Sequence, residues 1–278
     1  MIRTAIIPIA GLGTRMGPLA RAVPKSMFPL VDASGSVRPV VQYIIDQACA
    51  AGVEKVALIV APAHINLLRK YFTATRKDRT KDRATIEFLP QPSPMGFGEA
   101  VARGAHFVGD EPFMLLLGDH VHKSAPGADP CALQVVQAFD SRPGCAMIGM
   151  QEVDSAELPK VGAAAGEKIG DRLYRCRTFI EKPTIDQAQK ELAMPDLPAG
   201  RFLAHCGIYI FQPEIFECLA RLAVQDRPMG QEIQLADAQS MLLGRHSDDY
   251  YLYQIAGRAY DTGTPAGYLA AQDAIRKV

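Results

Sequence analysis

Short apolar runs alternate with segments of helical periodicity through the first half of this 278-residue sequence. The runs that we interpret as strands are residues 4–9, 56–60, 85–89 and 113–117, and the helical segments between them are residues 39–51, 64–72 and 98–108. Residues 56–60, Val-Ala-Leu-Ile-Val, are apolar at every position, which is typical of a strand buried on both faces of a parallel sheet. Strands and helices in this alternation predict an α/β fold with helices on both sides of a sheet.

The second half of the chain alternates less regularly. Its predicted strands are residues 145–153, 174–180, 202–211 (interrupted by Gly207) and 250–255, and its predicted helices are residues 130–139, 215–224, 232–243 and 265–278. Residues 161–172 are rich in glycine and alanine and are expected to form turns, and the charged residues 73–83 are expected to form an exposed loop. Because no linker-like segment divides the chain, we expect a single domain over residues 1–278, built on a mixed, mostly parallel sheet.

The composition argues against several classes of function. Lys and Arg together number 30, as do Asp and Glu, so the chain lacks the basic excess of a nucleic-acid-binding surface. No apolar stretch is long enough to span a bilayer, and no signal peptide is recognisable, so we expect a cytoplasmic protein that does not bind membranes. The six cysteines form no Cys-x-x-Cys pair and lie in or beside apolar runs, which favours buried, reduced thiols.

A glycine-rich loop, Ala10-Gly11-Leu12-Gly13-Thr14-Arg15, directly follows the first predicted strand. Glycines in such a turn let backbone N–H groups approach an anion, and the loop adds a hydroxyl at Thr14 and a guanidinium at Arg15. Lys25 supplies a further positive charge shortly afterwards. The loop matches neither the Walker A pattern nor Gly-x-Gly-x-x-Gly, so the residues alone indicate only a polyphosphate-binding turn.

Two further polar residues, Gln91 and Asp119, also follow predicted strands directly. In a parallel α/β sheet, ligands bind beyond the carboxyl ends of the strands. We therefore expect the glycine loop, Gln91 and Asp119 to project toward the same edge of the sheet. This convergence is the main structural argument for a binding site in the first half of the chain.

Histidines at positions 120 and 122 follow Asp119 and suggest a transition-metal site. However, the sequence places no third or fourth ligand for zinc, and alternation along an extended segment puts both rings on one side without a defined geometry. We therefore favour histidines that lie at the surface or support a neighbouring ligand.

Residues 8–32, PIAGLGTRMGPLARAVPKSMFPLVD, resemble the signature of the sugar-1-phosphate nucleotidylyltransferases, especially the bacterial enzymes that act on UTP and glucose 1-phosphate. Other segments that resemble the family follow in the family's order over essentially the whole chain: residues 91–98, 116–119, 179–183, 207–209, 230–237 and 260–264. The resemblance implies a Rossmann-like fold of the nucleotide-diphospho-sugar transferase type. It also implies a nucleotide-binding half, about residues 1–125, and a sugar-binding half, about residues 126–278.

The activity implied by the resemblance is the Mg²⁺-dependent transfer of a uridylyl group from UTP to α-D-glucose 1-phosphate, with release of pyrophosphate. It implies catalytic roles for Arg15 and Lys25, nucleotide binding by Ala10, Gly11, Gly13, Thr14, Gln91 and Gly96, sugar-phosphate binding by Gly162, Glu181, Lys182 and Gly207, and metal binding by Asp119 and Asp261. Magnesium prefers hard carboxylate oxygens, which the two aspartates supply. Homo-oligomers are common in the family.

Some positions depart from the uridylyltransferase pattern. Glu99 stands where uridylyltransferases usually have histidine and thymidylyltransferases have glutamine. Leu-Gly-Asp at 117–119 and Asp-Thr-Gly-Thr at 261–264 are more similar to glucose-1-phosphate thymidylyltransferases, and residues 33–38 are interpreted as a small insertion. Transfer of a thymidylyl group from dTTP is therefore one alternative, and a non-catalytic sugar-nucleotide sensor on the same fold is another.

Overall fold

The computed structural model of the protein describes residues 1–75, 84–224 and 231–277. The strands are β1 (Thr4–Pro8), β2 (Pro29–Val31), β3 (Val37–Pro39), β4 (Lys55–Val60), β5 (Thr85–Pro90), β6 (Phe113–Leu116), β7 (His120–Ser124), β8 (Ala146–Asp154), β9 (Gly162–Gly170), β10 (Leu173–Glu181), β11 (Arg201–Phe211), β12 (Tyr250–Gln254) and β13 (Gly257–Asp261). The α-helices are α1 (Leu19–Ala22), α2 (Val40–Ala50), α3 (Ile65–Thr75), α4 (Phe97–Ala102), α5 (Ala105–Val108), α6 (Cys131–Ser141), α7 (Ile185–Glu191), α8 (Glu214–Ala223), α9 (Leu235–Arg245) and α10 (Pro265–Arg276).

Nine of these strands form one mixed sheet in the order β5-β4-β1-β6-β11-β8-β12-β10-β9. The first four run parallel, with Ile6 of β1 opposite Ala57 of β4 and Leu115 of β6. β11 is antiparallel to both β6 and β8, β12 is parallel to β8, and the β9–β10 hairpin closes the far edge. The predicted mixed α/β sheet is thus confirmed, and its uninterrupted parallel part is the amino-terminal half.

Successive residues of the central strands supply two apolar cores, one on each face of the sheet. Ile6 and Leu115 contribute to the core beneath α4, α8 and α9, whereas Ile7 and Leu116 contribute to the core beneath α2 and α6. All four side chains are fully buried. Because both faces of these strands are covered, their sequences are apolar without alternation, as a parallel sheet requires.

Two small sheets, together with helix α10, hold the end of the chain against earlier segments. β7 pairs antiparallel with β13, and β2 pairs with β3. Helix α10 then packs on β2, where Gln272 exchanges two hydrogen bonds with the backbone of Val31 and the Tyr268 hydroxyl donates to the carbonyl of Pro29. These contacts bring residues near the carboxyl end of the chain next to the glycine loop region.

The expectation of turns at residues 161–172 is wrong, because residues 162–170 form strand β9. Its alanines, residues 163–165, are fully buried between β10 and β11, with Ala164 opposite both Phe179 and Leu203. Further along the strand, a Cβ atom at Gly166 would lie 2.2 Å from the carbonyl oxygen of Arg175. The small residues therefore allow close strand packing rather than turns.

Other boundaries also differ from the predictions. The helix predicted at residues 98–108 is divided into α4 and α5 at Gly104, where a Cβ atom would lie 2.2 Å from Cδ1 of Ile6, so the chain bends against β1. Helix α9 begins at Leu235 rather than at Glu232, because Ile233 pairs through its backbone with Met95 and Gly98.

Helix α3 extends to Thr75 in the predicted loop 73–83, whose residues 76–83 lie outside the described residues. The predicted break at Gly207 in β11 is confirmed by a positive φ of 82° and a register shift between His205 and Tyr209.

Within the described ranges, every helix is too short or too polar to cross a lipid bilayer. All six cysteines lie in these ranges, and no disulfide links them. Five of their side chains are buried and Cys49 is half-buried. Burial raises the pKa of the Cys176 thiol to about 12, so this thiol stays protonated at neutral pH.

Candidate active site

The carboxyl ends of β1, β5 and β6 open onto one cleft of about 370 Å³. Eight of the residues singled out in the sequence line it: Ala10, Gly11, Gly13, Thr14, Lys25, Gln91, Gly96 and Asp119. Gly13 has a φ of 63°, in the left-handed region that favours glycine, and the loop then closes into a single helical turn at Thr14–Met16. The expected convergence of strand ends is therefore present in the folded chain.

Asp119 lies at the centre of the charged part of the cleft. The ammonium group of Lys25 contacts its Oδ2 directly, and Nδ1 of His120 lies 3.0 Å from its Oδ1. Burial by itself would raise the pKa of Asp119, but the hydrogen bond with His120 and the charge of Lys25 outweigh it and hold the pKa well below its usual range. Asp119 is therefore a carboxylate at neutral pH, with a cation already beside it.

Thr262 connects Asp119 to the end of the chain. Its backbone N–H and its hydroxyl both donate to the carbonyl oxygen of Asp119, each at 2.8 Å, and the residue is buried. Pairing of β7 with β13 places Asp261 opposite His120. The segment 261–263 is therefore held against the end of β6 by backbone bonds, independently of any ligand.

Arg15, Asp119 and Asp261 meet around Gly263. A Cβ atom placed on Gly263 would lie 2.8 Å from Oδ1 of Asp261, 2.9 Å from Oδ2 of Asp119 and 3.0 Å from Nη2 of Arg15. Nη1 of Arg15 is also 3.5 Å from Oδ2 of Asp261, although the Arg15 side chain is 60% exposed. Three charged groups from distant parts of the sequence thus share one small volume.

The chemistry of these side chains fits a divalent cation. One carboxylate oxygen each from Asp119 and Asp261, together with a ring nitrogen of His120, lie within 4.8 Å of one another. Two hard carboxylate oxygens from the protein, with phosphate and water to complete the shell, suit Mg²⁺. The ring of His120 is already bonded to Asp119, so it orients that carboxylate and corresponds to the supporting histidine that the sequence favoured.

His122 has a different environment. Its side chain is buried, its Nε2 lies 2.7 Å from the carbonyl oxygen of Cys206, and its Nδ1 has no hydrogen-bond partner among the described residues. Burial lowers the pKa of His122 to about 4. The expectation of a surface histidine or a ligand-supporting histidine is wrong here, because the His122 side chain is buried against the backbone of Cys206 in β11.

Gln91 lies directly after β5 and lines the same cleft as Lys25 and Asp119. Its side chain is buried, and its Nε2 donates to Oε2 of Glu99 at 2.6 Å and to the carbonyl oxygen of Gly96 at 3.3 Å. Gly96 has a φ of 106°, and a Cβ atom there would lie 2.5 Å from the carbonyl oxygen of Ile233. Glycine at position 96 is thus required by the backbone packing of this wall of the cleft.

The residues predicted to bind the sugar phosphate form a neighbouring group. Glu181 is opposite Gly162 in the β9–β10 hairpin, and a Cβ atom on Gly162 would lie 2.7 Å from Oε2 of Glu181. Lys182 has a φ of 50°, and its Nζ is 3.8 Å from Oε1 of Glu181. Among the described residues, the lining of the 370 Å³ cleft does not include these three residues.

Gly207 and His205 connect this group to the charged cluster. A Cβ atom on Gly207 would lie 3.2 Å from Cγ of His120, whereas Nδ1 of His205 would lie 3.2 Å from a Cβ atom on Gly162. Burial lowers the pKa of His205 to about 4, so its ring is neutral at pH 7.

The sequence did not predict three features of the site: His205, the connection of Thr262 to Asp119, and the contact of Glu99 with Gln91. Only the Asp-Thr-Gly-Thr segment and the unusual Glu99 offered a signal.

Comparisons with known proteins identify relatives of this chain. The sequence profile described as "Nucleotidyl transferase" matches residues 4–278. UTP–glucose-1-phosphate uridylyltransferase 2 of Staphylococcus saprophyticus is 33% identical and covers 96% of this chain and 90% of its own. UTP–glucose-1-phosphate uridylyltransferase YngB of Bacillus subtilis is 31% identical, over 99% of this chain and 89% of its own.

A solved structure shows the same likeness in three dimensions. The structure of a UDP-glucose pyrophosphorylase complexed with UDP-glucose superposes on this chain with a TM-score of 0.79 at 27% identity. The match covers 99% of this chain and 98% of the other. Sequence and fold agree over nearly the full length, and the chain therefore belongs to the nucleotidyl transferase family.

Proposed function

We propose that this protein transfers the uridylyl group of UTP to α-D-glucose 1-phosphate, forming UDP-glucose and releasing pyrophosphate. The observation that carries the proposal is a single cleft lined by the glycine loop, Lys25, Asp119 and Gln91, with Arg15 and Asp261 beside Asp119 at Gly263. The names of the two relatives support the choice of substrates.

The glycine loop and Gln91 would hold the nucleotide. Ala10, Gly11, Gly13 and Thr14 line the cleft, where backbone N–H groups and the Thr14 hydroxyl can donate to phosphate and sugar oxygens. Gln91, with Gly96 beside it, would hydrogen-bond the base.

The transfer step requires little covalent help from the protein. An oxygen of the sugar phosphate attacks the α-phosphorus, the bond from that phosphorus to the bridging oxygen breaks, and pyrophosphate leaves with the electron pair. Positioning and charge neutralisation supply most of the acceleration in such displacements. Lys25 would place its ammonium at the α-phosphate, and the exposed fork of Arg15 would pair with the departing pyrophosphate.

Asp119 and Asp261 would hold Mg²⁺, which neutralises charge on the triphosphate when bound. His120 and Thr262 act on Asp119 itself, because His120 orients its carboxylate and Thr262 holds its backbone. The low pKa of Asp119 keeps this carboxylate ionised over the whole physiological range. These residues are thus prepared for a cation before substrate arrives.

The sugar phosphate would bind between Gly162, Glu181, Lys182 and Gly207. The carboxylate of Glu181 can accept bonds from sugar hydroxyls, and the ammonium of Lys182 can pair with the phosphate. Both side chains are more than half exposed and only loosely paired with each other, so a ligand can reach them. The nine-stranded sheet takes strands from both halves of the chain, which supports one domain with a nucleotide-binding half and a sugar-binding half.

Pyrophosphate release with each nucleoside triphosphate and each common sugar 1-phosphate tests the proposal. We expect release with UTP and glucose 1-phosphate in the presence of Mg²⁺, and loss of release on chelation. Preference for dTTP would instead identify a thymidylyltransferase, and tight binding without release under any pairing would identify a sensor. A cytoplasmic homo-oligomer is part of the proposal, which sedimentation and cell fractionation would test.

A further inference from the structure

We propose that Glu99 is a positioning residue for base selection. It holds the side-chain amide of Gln91 in one orientation, so that the cleft accepts a base with an N–H donor at the facing edge, such as uracil, and rejects cytosine. The inference rests on the proposed function, because it assigns Gln91 to the base of the nucleotide.

The orientation of the Gln91 amide follows from the chemistry of its neighbours. Two oxygen acceptors surround one end of the amide, the Glu99 carboxylate at 2.6 Å and the Gly96 carbonyl at 3.3 Å. Only the NH₂ group can satisfy both of them, because the reversed amide would place its own oxygen against two acceptors. The hydrogen-bond partners therefore decide which atom of Gln91 is bound to the protein.

Glu99 is itself held in place. Its Oε1 lies 2.5 Å from Nη2 of Arg103, one helical turn later, and Nη1 of Arg103 donates to the carbonyl oxygen of Pro90 at 3.2 Å. Pro90 directly precedes Gln91, so the contacts run from Gln91 through Glu99 and Arg103 back to the backbone beside Gln91. Glu99 lines a neighbouring groove rather than the nucleotide cleft, which means that it would act on the base only through Gln91.

The remaining atom, Oε1 of Gln91, is then the acceptor offered to the ligand. Gln91 is 7% exposed and lines the cleft, and Oε1 has no hydrogen-bond partner among the described residues. Oε1 is open to the cleft, and a bound base would cover it; since an acceptor buried without a partner is costly, a base that donates N–H to Oε1 is favoured. Uracil N3 carries a hydrogen, whereas cytosine N3 carries a lone pair of electrons that would face Oε1. Thymine has the same edge as uracil, so this contact does not separate UTP from dTTP.

The test replaces Glu99 by glutamine and measures dissociation constants for UTP and CTP by calorimetry, together with kcat and KM for both nucleotides. In Glu99→Gln, Arg103 still binds the side-chain oxygen, which turns the new NH₂ group toward Gln91 and favours the reversed amide. We expect the UTP-to-CTP preference to fall at least tenfold, in Kd and KM. We expect kcat with UTP to change less than threefold, because Glu99 does not touch the reacting atoms.

Glu157→Gln is the matched control, since Glu157 makes a comparable ion pair with Arg258 at 2.8 Å outside the cleft. It should leave the UTP-to-CTP preference unchanged. If Glu99→Gln does not fold, Arg103→Gln, which removes the anchor of Glu99, should shift the preference in the same direction to a smaller extent. A folded Glu99→Gln protein with the wild-type preference would overturn the inference, as would an unchanged preference in Arg103→Gln.

The two proposals fail in different ways. Wild-type protein that binds UTP over CTP but releases no pyrophosphate would refute the proposed activity, while the binding ratios would still test Glu99. Wild-type protein that is active and discriminates against CTP, with no change in Glu99→Gln, would refute only the role of Glu99. Wild-type protein without a preference for UTP over CTP would refute the inference directly.

Discussion

Replacing Gly263 by alanine places a methyl group where three charged side chains converge. The added Cβ atom would lie 2.8 Å from Asp261 Oδ1, 2.9 Å from Asp119 Oδ2 and 3.0 Å from Arg15 Nη2. Ordinary contacts begin at 3.4 Å, so the two carboxylate oxygens would have to retreat by about 0.5–0.6 Å. Arg15 is exposed and can adjust, whereas the carboxylates cannot move easily.

The two carboxylates are anchored by different contacts. Asp119 is held by Lys25 and His120, and Oδ1 of Asp261 accepts from the backbone N–H of Gly263 at 2.7 Å. Since misplacement of a reacting group by about 1 Å can cost a hundredfold in rate, a shift of half that size predicts a fall in kcat of about 10- to 100-fold. Overpacking should cost about 1 kcal/mol of unfolding free energy.

Pyrophosphate release measures kcat, and urea unfolding measures stability. Gly244→Ala is the control, because Gly244 lies exposed in α9 and nothing lies within 4 Å of its Cβ position. This control should keep wild-type kcat and gain about 0.5–1 kcal/mol of stability through helix propensity. Wild-type kcat in Gly263→Ala would show that the charged cluster is not closed around this residue, and the reasoning would be refuted.

Three further changes test other contacts of the site. Lys25→Met should lower kcat by about a thousandfold in pyrophosphate release while the protein still folds, because His120 still bonds the Asp119 carboxylate; near-normal kcat would remove Lys25 from the mechanism. Thr262→Val should lose about 1 kcal/mol in urea unfolding and several-fold in kcat, since only its hydroxyl bond to Asp119 disappears; unchanged values would show that the backbone bond suffices. His122 has a pKa of about 4 in the folded state, below its usual 6.5, so the unfolded chain binds a proton first as pH falls. This residue alone should account for about 2 kcal/mol of the stability lost between pH 7 and pH 5, and His205, with the same pKa, should account for a similar further loss. Urea titrations should show a smaller drop in His122→Gln, and an equal drop would contradict this assignment.

Much of the sheet in the first half could be predicted because its strands are apolar at nearly every position. Residues 56–60 of β4 are fully buried, as the continuous run indicated. The positions of Gln91 and Asp119 after strands also sufficed to predict one shared cleft, because strand polarity in a parallel sheet is a local consequence of the alternation with helices. By contrast, residues 162–170 form a strand only because β10 and β11 lie on either side of them.

By itself, the amino-acid sequence determined which charged and polar groups are present and which strand ends carry them, because residue type and strand pattern are local properties. Only the tertiary structure decided which of these groups meet. Thr262 bonds Asp119 across 143 positions of sequence, and Arg15 joins them around Gly263. Those contacts depend on the pairing of β7 with β13 and on the packing of α10 against β2, where small differences in distance determine whether the carboxylates can share a cation. No local pattern specifies such distances, because they result from the packing of the whole chain.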